Sequence, residues 1–283
     1  MESTIICNSI SKQFCEKIVL YKINLNINRG EIFGLLGPSG AGKTTLIKII
    51  TGQLIADSGT SSIGGINSQN LQGDDYKSYG IMMDDFGLYE RLSCYNNLKI
   101  FARIYGIDDK RIYEVLDSVG LNYEAKKPAS KLSKGMKIRL KLARVFLINP
   151  SILFLDEPTS GLDPSTASDI HQMIISEKQK GKTIFLTTHN MAEATKLCDN
   201  IALLNEGKII EYGKPREICK KHYLKKRFVI ELNDGKQIEI PHNEHTANTI
   251  YNLLKHNKIE TIHSSEPNLE DIFMELTGRG ILL

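Results

Sequence analysis

Gly37-Pro38-Ser39-Gly40-Ala41-Gly42-Lys43-Thr44 constrains this chain more than any other segment, because it fits G-x-x-x-x-G-K-[ST] and such a run works only between a strand and a helix. The flanking sequence supplies both. Glu31-Ile32-Phe33-Gly34-Leu35-Leu36 reads as a strand, and Thr44 to Gly52 carries Leu46, Ile47, Ile49 and Ile50 at helical spacing. Glycines here let backbone N–H groups converge on phosphate oxygens at the positive end of the following helix. In that setting Lys43 reaches the β- and γ-phosphates and the Thr44 hydroxyl ligates Mg²⁺. The nucleotide-binding set read from this run is Gly37, Pro38, Ser39, Gly40, Ala41, Gly42, Lys43, Thr44 and the adjoining Thr45.

The remaining pattern predicts an α/β fold. Thr4-Ile5-Ile6 and Leu20 to Ile27 read as strands, and Tyr89 to Leu147 reads as helical with turns at Gly106-Ile107-Asp108-Asp109, Gly120-Leu121-Asn122 and Lys127-Pro128. That stretch predicts an inserted helical subdomain at about residues 86–150. A strand from Ile152 to Leu155, a helix from Ser165 to Lys180, a strand from Thr183 to Thr187 and a helix from Met191 to Cys198 follow. Paired strands then turn at Glu206-Gly207, so residues 1–215 are expected to form one domain around a mainly parallel sheet. The basic run Lys220-Lys221-His222-Tyr223-Leu224-Lys225-Lys226-Arg227 reads as a solvated linker after Gly213-Lys214-Pro215. Residues 216–283 read as a small α+β accessory domain, with a hairpin signal at Asn233-Asp234-Gly235 and helices around Thr246 to Leu254 and Leu269 to Leu276.

Composition excludes several functions. The 283 residues carry 36 Lys+Arg against 33 Asp+Glu, so 36 − 33 = +3, too small a charge to imply nucleic acid as a partner. The longest unbroken apolar runs, such as Val145-Phe146-Leu147-Ile148, are four residues, far short of the roughly 20 that cross a bilayer. Met1-Glu2-Ser3-Thr4 has no basic n-region or apolar h-region, which predicts a cytoplasmic chain. Cys7, Cys15, Cys94, Cys198 and Cys219 form no C-x-x-C pair and are expected to be reduced thiols. His242 and His245 lack further ligands of suitable spacing for a metal.

Two more segments carry chemistry. Ile152-Leu153-Phe154-Leu155-Asp156-Glu157-Pro158 is an apolar strand ending in two carboxylates, which puts Asp156 at the rim of the sheet to hold Mg²⁺ through water and leaves Glu157 to orient or deprotonate the attacking water. Ser133 can cap the helix from Lys134 towards Leu147, making a hydroxyl, free N–H groups and a helix dipole into one half of an anion site.

Leu132-Ser133-Lys134-Gly135-Met136 lies 156 − 133 = 23 residues before Asp156, and Ser160-Gly161-Leu162-Asp163 and Thr187-Thr188-His189 follow it. In this order the segments resemble the ATP-binding subunit of ABC transporters, with phosphate loop, signature, Asp-Glu strand, D-loop and switch histidine over about residues 4–213. The resemblance implies a P-loop NTPase fold of the ABC type that hydrolyses ATP with Mg²⁺. Glu157, His189 and Lys43 are then catalytic, and Ser133 and Gly135 meet the γ-phosphate held by a second ATP-binding subunit, identical or paralogous. Lys134 and Met136 depart from the commonest Leu-Ser-Gly-Gly-Gln form. Phe14 sits where the family stacks an aromatic on adenine, the alternative being a strand-end core residue. Asp84 stands where glutamine is common; it either binds Mg²⁺ more directly but positions the attacking water less well, or points to solvent and leaves the role to Asp85 or to no residue.

The resemblance also implies an integral membrane permease as partner and a peripheral position on the cytoplasmic face of the cell membrane. Glu266-Pro267-Asn268-Leu269-Glu270-Asp271-Ile272-Phe273-Met274-Glu275-Leu276-Thr277-Gly278-Arg279 resembles the closing segment of the drug and antibiotic exporter branch. The expected cargo is a drug, peptide antibiotic or lipid-like molecule. The rival readings are an importer subunit, a soluble ATPase of the same family acting on ribosomes or DNA ends, and a regulatory module that works by nucleotide-dependent docking.

Overall fold

The computed structural model describes residues 3–83, 87–222, 227–241, 243–265 and 268–278. The chain divides into two compact units, with the division between Lys214 and Pro215. The first opens with two antiparallel strands, β1 (Ser3–Phe14) and β2 (Lys17–Asn28). Ile5, Cys7 and Ile10 of β1 and Leu20, Ile23, Leu25 and Ile27 of β2 point inward. β1 runs well past the Thr4-Ile5-Ile6 core of the sequence reading, through polar Asn8, Ser9, Ser11 and Lys12. Register shifts and the left-handed Ser9 (φ 52°) let the strand continue where strict alternation breaks.

β3 (Ile32–Leu36) leads through the glycine run into α1 (Lys43–Ile50). β4 (Ser58–Ile63) and β5 (Ile66–Asn67) complete an antiparallel sheet in the order β2-β1-β4-β5, and β6 (Tyr79–Met82) follows. Three helices come next: α2 (Cys94–Tyr105), α3 (Asp109–Ser118) and α4 (Lys134–Leu147). They start on the side-chain caps Ser93, Asp108 and Ser133, and α2 stops on Gly106 in the left-handed region at φ 66°. Then β7 (Ile152–Asp156), α5 (Pro164–Gln179), β8 (Thr183–Thr188), α6 (Met191–Leu197), β9 (Asn200–Asn205) and β10 (Lys208–Gly213) alternate as expected.

The central sheet has the order β10-β9-β3-β8-β7-β6, parallel except for the β9–β10 hairpin. Phe33, Phe185 and Phe154 stand side by side in register on β3, β8 and β7, with ring centroids 5.3 and 5.6 Å apart. Tyr79 extends the row, edge-on to Phe154 at 5.9 Å, and donates its hydroxyl to Thr51 O at 3.0 Å. These rings share one core cluster with Leu46, Ile47, Ile49 and Ile50 of α1 and the inner face of β1 and β2. Each fully buried Phe contributes roughly 1.5–3 kcal/mol. The helix behind the glycine run is therefore clamped between two sheets, and the loop at its N-terminus inherits that rigidity.

The second unit contains α7 (Pro215–Lys221), β11 (Arg227–Leu232), β12 (Gln237–Pro241), α8 (Glu244–Lys255), β13 (Ile259–Ser265) and α9 (Leu269–Thr277). The three strands form an antiparallel sheet in the order β12-β11-β13. Asn233-Asp234-Gly235 makes the hairpin, with Gly235 at φ 78° and Leu232 N donating to Lys236 O at 2.8 Å. The solvated-linker reading needs correction at its start, because Lys220 and Lys221 end helix α7, which buries Pro215 and Ile218. α7 packs on α9, where Leu269, Ile272 and Phe273 are buried, while Leu276, in the last turn before the Gly278 cap, is 40 % exposed.

Candidate active site

The glycine run is shaped by its surroundings. A Cβ on Gly37 would lie 2.2 Å from Leu204 O, so β9 leaves no room for a side chain there. Gly42 caps α1 at φ 110°, and its Cβ would meet Val19 O at 2.8 Å. Lys43, 6 % exposed, folds back across the run: its Nζ donates to Gly37 O at 2.7 Å and to Pro38 O at 3.2 Å.

Three neighbouring strands, β3, β8 and β7, deliver the reactive groups at their C-terminal ends, the edge where parallel sheets gather ligands. Thr44, behind β3, donates its hydroxyl to Asp156 Oδ2 at 2.7 Å. Thr187 of β8 donates to the other carboxylate oxygen, Oδ1, so hydroxyls hold Asp156 from both sides. Glu157 leaves β7 with φ 49°, uncommon for a residue with a side chain. Its N–H is shared between Thr187 O and Oγ1, each at 3.1 Å. That turn aims the carboxylate at two partners, Lys43 Nζ at 3.1 Å from Oε1 and His189 Nδ1 at 2.7 Å from Oε2. Lys43, Glu157 and His189 thus form one contiguous chain of charge and hydrogen bonds.

These groups open onto a cavity of about 560 Å³. Ser39, Thr44, Asp156, Glu157, Ser160 and His189 line one side; Lys134, Lys137 and Lys141 of α4 line another. Lys137 is tied to Glu90 at 2.9 Å, and Lys134 Nζ lies against Gly161. The sequence reading missed this cationic stripe, although its i, i+3, i+7 spacing marks one helix face. Thr44 Oγ1 and Asp156 Oδ2 are adjacent hard oxygen donors, a pair that fits a Mg²⁺ ion keeping most of its ligands as water and phosphate. Among the described residues no group of three or more His, Cys, Asp and Glu is placed to hold a metal.

The other sequence-derived positions lie apart from this cluster. Ser133 caps α4 by accepting Met136 N–H at 3.3 Å and is itself exposed. Gly135 is buried, and a Cβ there would come 2.5 Å from Thr166 Cγ2, so packing against α5 already requires glycine. α5 begins on Asp163, where the Thr166 hydroxyl (2.6 Å) and N–H (2.9 Å) hold the carboxyl below its usual range. Phe14 ends β1, 45 % exposed, with Lys12 Nζ 5.5 Å from its ring centroid; it does not line the cavity. Asp84 lies outside the described residues.

Comparison with known proteins gives the family. The family described as ABC transporter matches residues 20–160. The fluoroquinolones export ATP-binding protein of Mycobacterium tuberculosis is 39 % identical over 92 % of this chain and 87 % of its own length. The bacitracin transport ATP-binding protein BcrA of Bacillus licheniformis is 33 % identical over the whole of both chains. A solved ATP-binding cassette, described as a dimer in a post-hydrolysis state with ADP and Pi, superposes with TM-score 0.67 at 28 % identity, covering 74 % of this chain and 98 % of that one. The chain belongs to the ABC transporter ATP-binding family, within the branch whose named members serve fluoroquinolone export and bacitracin transport. It is an ATP-binding ATPase subunit.

Proposed function

We propose that this chain hydrolyses Mg-ATP as one half of a dimer and powers a separate integral membrane permease from the cytoplasmic face of the membrane, exporting a drug, peptide antibiotic or lipid-like substrate. The observation that carries the proposal is the linked set Lys43, Glu157 and His189 beside the Thr44–Asp156 oxygen pair. The loop N–H groups and Lys43 hold the phosphates, and Thr44 and Asp156 hold Mg²⁺. Bound Mg²⁺ neutralises charge on the β- and γ-phosphates. Glu157 orients the attacking water and accepts its proton; His189, already bonded to Glu157 Oε2, fixes the carboxylate and reaches the γ-phosphate.

Ser133 and Gly135 supply the facing half of a second copy's site, which the exposure of the Ser133 cap supports. A groove of about 390 Å³ between α2, α4 and the β6 edge, lined by Tyr76, Ile81, Phe101, Tyr105 and Arg144, supports permease docking. Its aromatic lining with one cation suits an amphipathic helix from a membrane protein. Relatives named for export of fluoroquinolones and transport of bacitracin support the direction and cargo class.

The test is a mild-detergent pull-down of tagged Glu157→Gln chain with ATP from its native cells. A stoichiometric multi-span polypeptide is the expected product. A dimer bound to no membrane protein, or attached to ribosomes or nucleic acid, overturns the permease reading.

A further inference from the structure

Glu193 is a carboxylate, 4 % exposed, that the hydrolytic chemistry above does not use. It sits in the first turn of α6, where the Asn190 cap accepts its N–H at 3.0 Å. One oxygen, Oε1, accepts the Thr159 hydroxyl at 2.6 Å and lies 2.8 Å from His171 Nε2. The other, Oε2, accepts the Thr188 hydroxyl at 2.6 Å. Thr188 Oγ1 in turn accepts Asn190 N–H at 3.0 Å.

The three partners belong to three segments that must keep step with one another. Thr188 is the residue before His189, and Thr159 is two residues beyond Glu157, at the head of the turn Ser160-Gly161-Leu162-Asp163. His171 lies on α5, the helix that turn feeds. His171 is 8 % exposed, and its second ring nitrogen, Nδ1, is buried with no hydrogen-bond partner among the described residues. The Glu193 contact is therefore what orients the ring. A buried carboxylate carries a large desolvation penalty that only such donors offset, and with both oxygens of Glu193 bonded the three segments are held to one carboxylate.

We propose that Glu193 is a positioning residue: it fastens the strand end bearing His189 to the turn after Glu157, and His171 carries the same fastening into α5. The fastening keeps His189 Nδ1 within hydrogen-bond distance of Glu157 Oε2 and makes the turn and the histidine move together. Among the described residues none of its members hydrogen-bonds to Lys43 or the glycine run, so the Lys43 contacts to Gly37 O and Pro38 O stay in place. This inference rests on the hydrolytic roles given to Glu157 and His189.

The experiment measures ATP turnover, ATP affinity and melting temperature on the full chain carrying Thr188→Val, Thr188→Ser, Thr159→Val and the Thr159→Val/Thr188→Val pair. Thr188→Val is expected to lower kcat by about tenfold while ATP affinity stays within about twofold, and Thr188→Ser, which restores the hydroxyl, to stay within about threefold of the parent. The paired variant is expected to lose less than the product of the single losses, because both hydroxyls act through one carboxylate. Unchanged kcat in Thr188→Val, an equal loss in Thr188→Ser, or kcat and affinity falling together in step with melting temperature overturns the proposal. Should Thr188→Val fail to fold, the partly exposed Thr159→Val carries the same kcat test. Glu157→Gln in the same assay separates the two readings: parent-like turnover there removes Glu157 from the chemistry, whatever Thr188 does.

Discussion

Lys43 and Ser133 are both assigned to phosphate, yet their surroundings are opposite. Lys43 is buried and has three partners within 3.2 Å, two loop carbonyls and Glu157. Ser133 is exposed, and among the described residues its side chain accepts only its own helix's Met136 N–H, at a long 3.3 Å. The phosphate-loop end is thus preorganised by one chain: α1 is wedged between two sheets, and Asp156 and Glu157 are pinned by the hydroxyls of Thr44 on α1 and Thr187 on β8. The signature end keeps its donor capacity unspent, as the proposed docking onto a second chain's nucleotide requires. A fold can complete one half of such a site internally while leaving the other half as a surface.

The sharpest way to break this contrast is Glu157→Gln, which keeps the shape but removes the proton acceptor. Turnover is expected to fall by at least about 100-fold with ATP binding retained and a dimer accumulating, read by phosphate release and size-exclusion chromatography. Residual turnover near the parent rate would mean that another group takes the proton. Next in size is Lys43→Ala, where loss of a charged hydrogen-bonding partner weakens ATP binding by about 10- to 100-fold in the isolated chain. Equal affinity in equilibrium dialysis would remove Lys43 from the phosphate site.

Gly135→Ala probes whether the signature glycine is fixed by packing. The added methyl meets Thr166 Cγ2 and is expected to cost about 1–3 kcal/mol in denaturant unfolding. Thr166→Ser deletes that methyl group while keeping the hydroxyl bonded to Asp163, and should recover most of the loss. Absence of recovery would point to phosphate approach as the stronger demand on Gly135. The smallest effect belongs to Ser133→Ala: ATP binding by the isolated chain stays within about twofold, while dimer-dependent turnover drops by about five- to tenfold. If the serine change weakens binding as much as Lys43→Ala does, the two ends are not separate half-sites.

Much of the phosphate-loop side is legible in the sequence because its grammar is local. Gly37 to Thr44, the apolar β7 ending in Asp156-Glu157 and the β-branched β8 before His189 each declare themselves within ten residues. Hairpins at Glu206-Gly207 and Asn233-Asp234-Gly235 are legible for the same reason, since left-handed turn residues are few. The supporting groups are not. Thr187 clamps Asp156 from 31 residues away, and Glu193 reaches Thr159 over 34, separations at which no periodicity survives. The stripe of Lys134, Lys137 and Lys141 gains a role only when α4 is seen beside the cavity. β1 outran its apolar signal because bulges carry it through polar residues, and α7 took up the start of a segment whose charge suggested a linker.

The sequence by itself determined the chemistry available: a glycine run for phosphate, two carboxylates at a strand end, a histidine after the next strand and a serine cap on a helix. Spacing of this kind is written in covalent connectivity, so it survives without knowledge of the fold. Only the tertiary structure decided which of these groups meet. The strand order β3-β8-β7 brings Thr44, His189 and Glu157 together although more than 140 residues separate the first two. The same packing turns Ser133 outward and buries Glu193 among three hydroxyl and imidazole partners. Hydrogen bonds and charge act across a few ångströms of space, and distance along the chain does not enter into them.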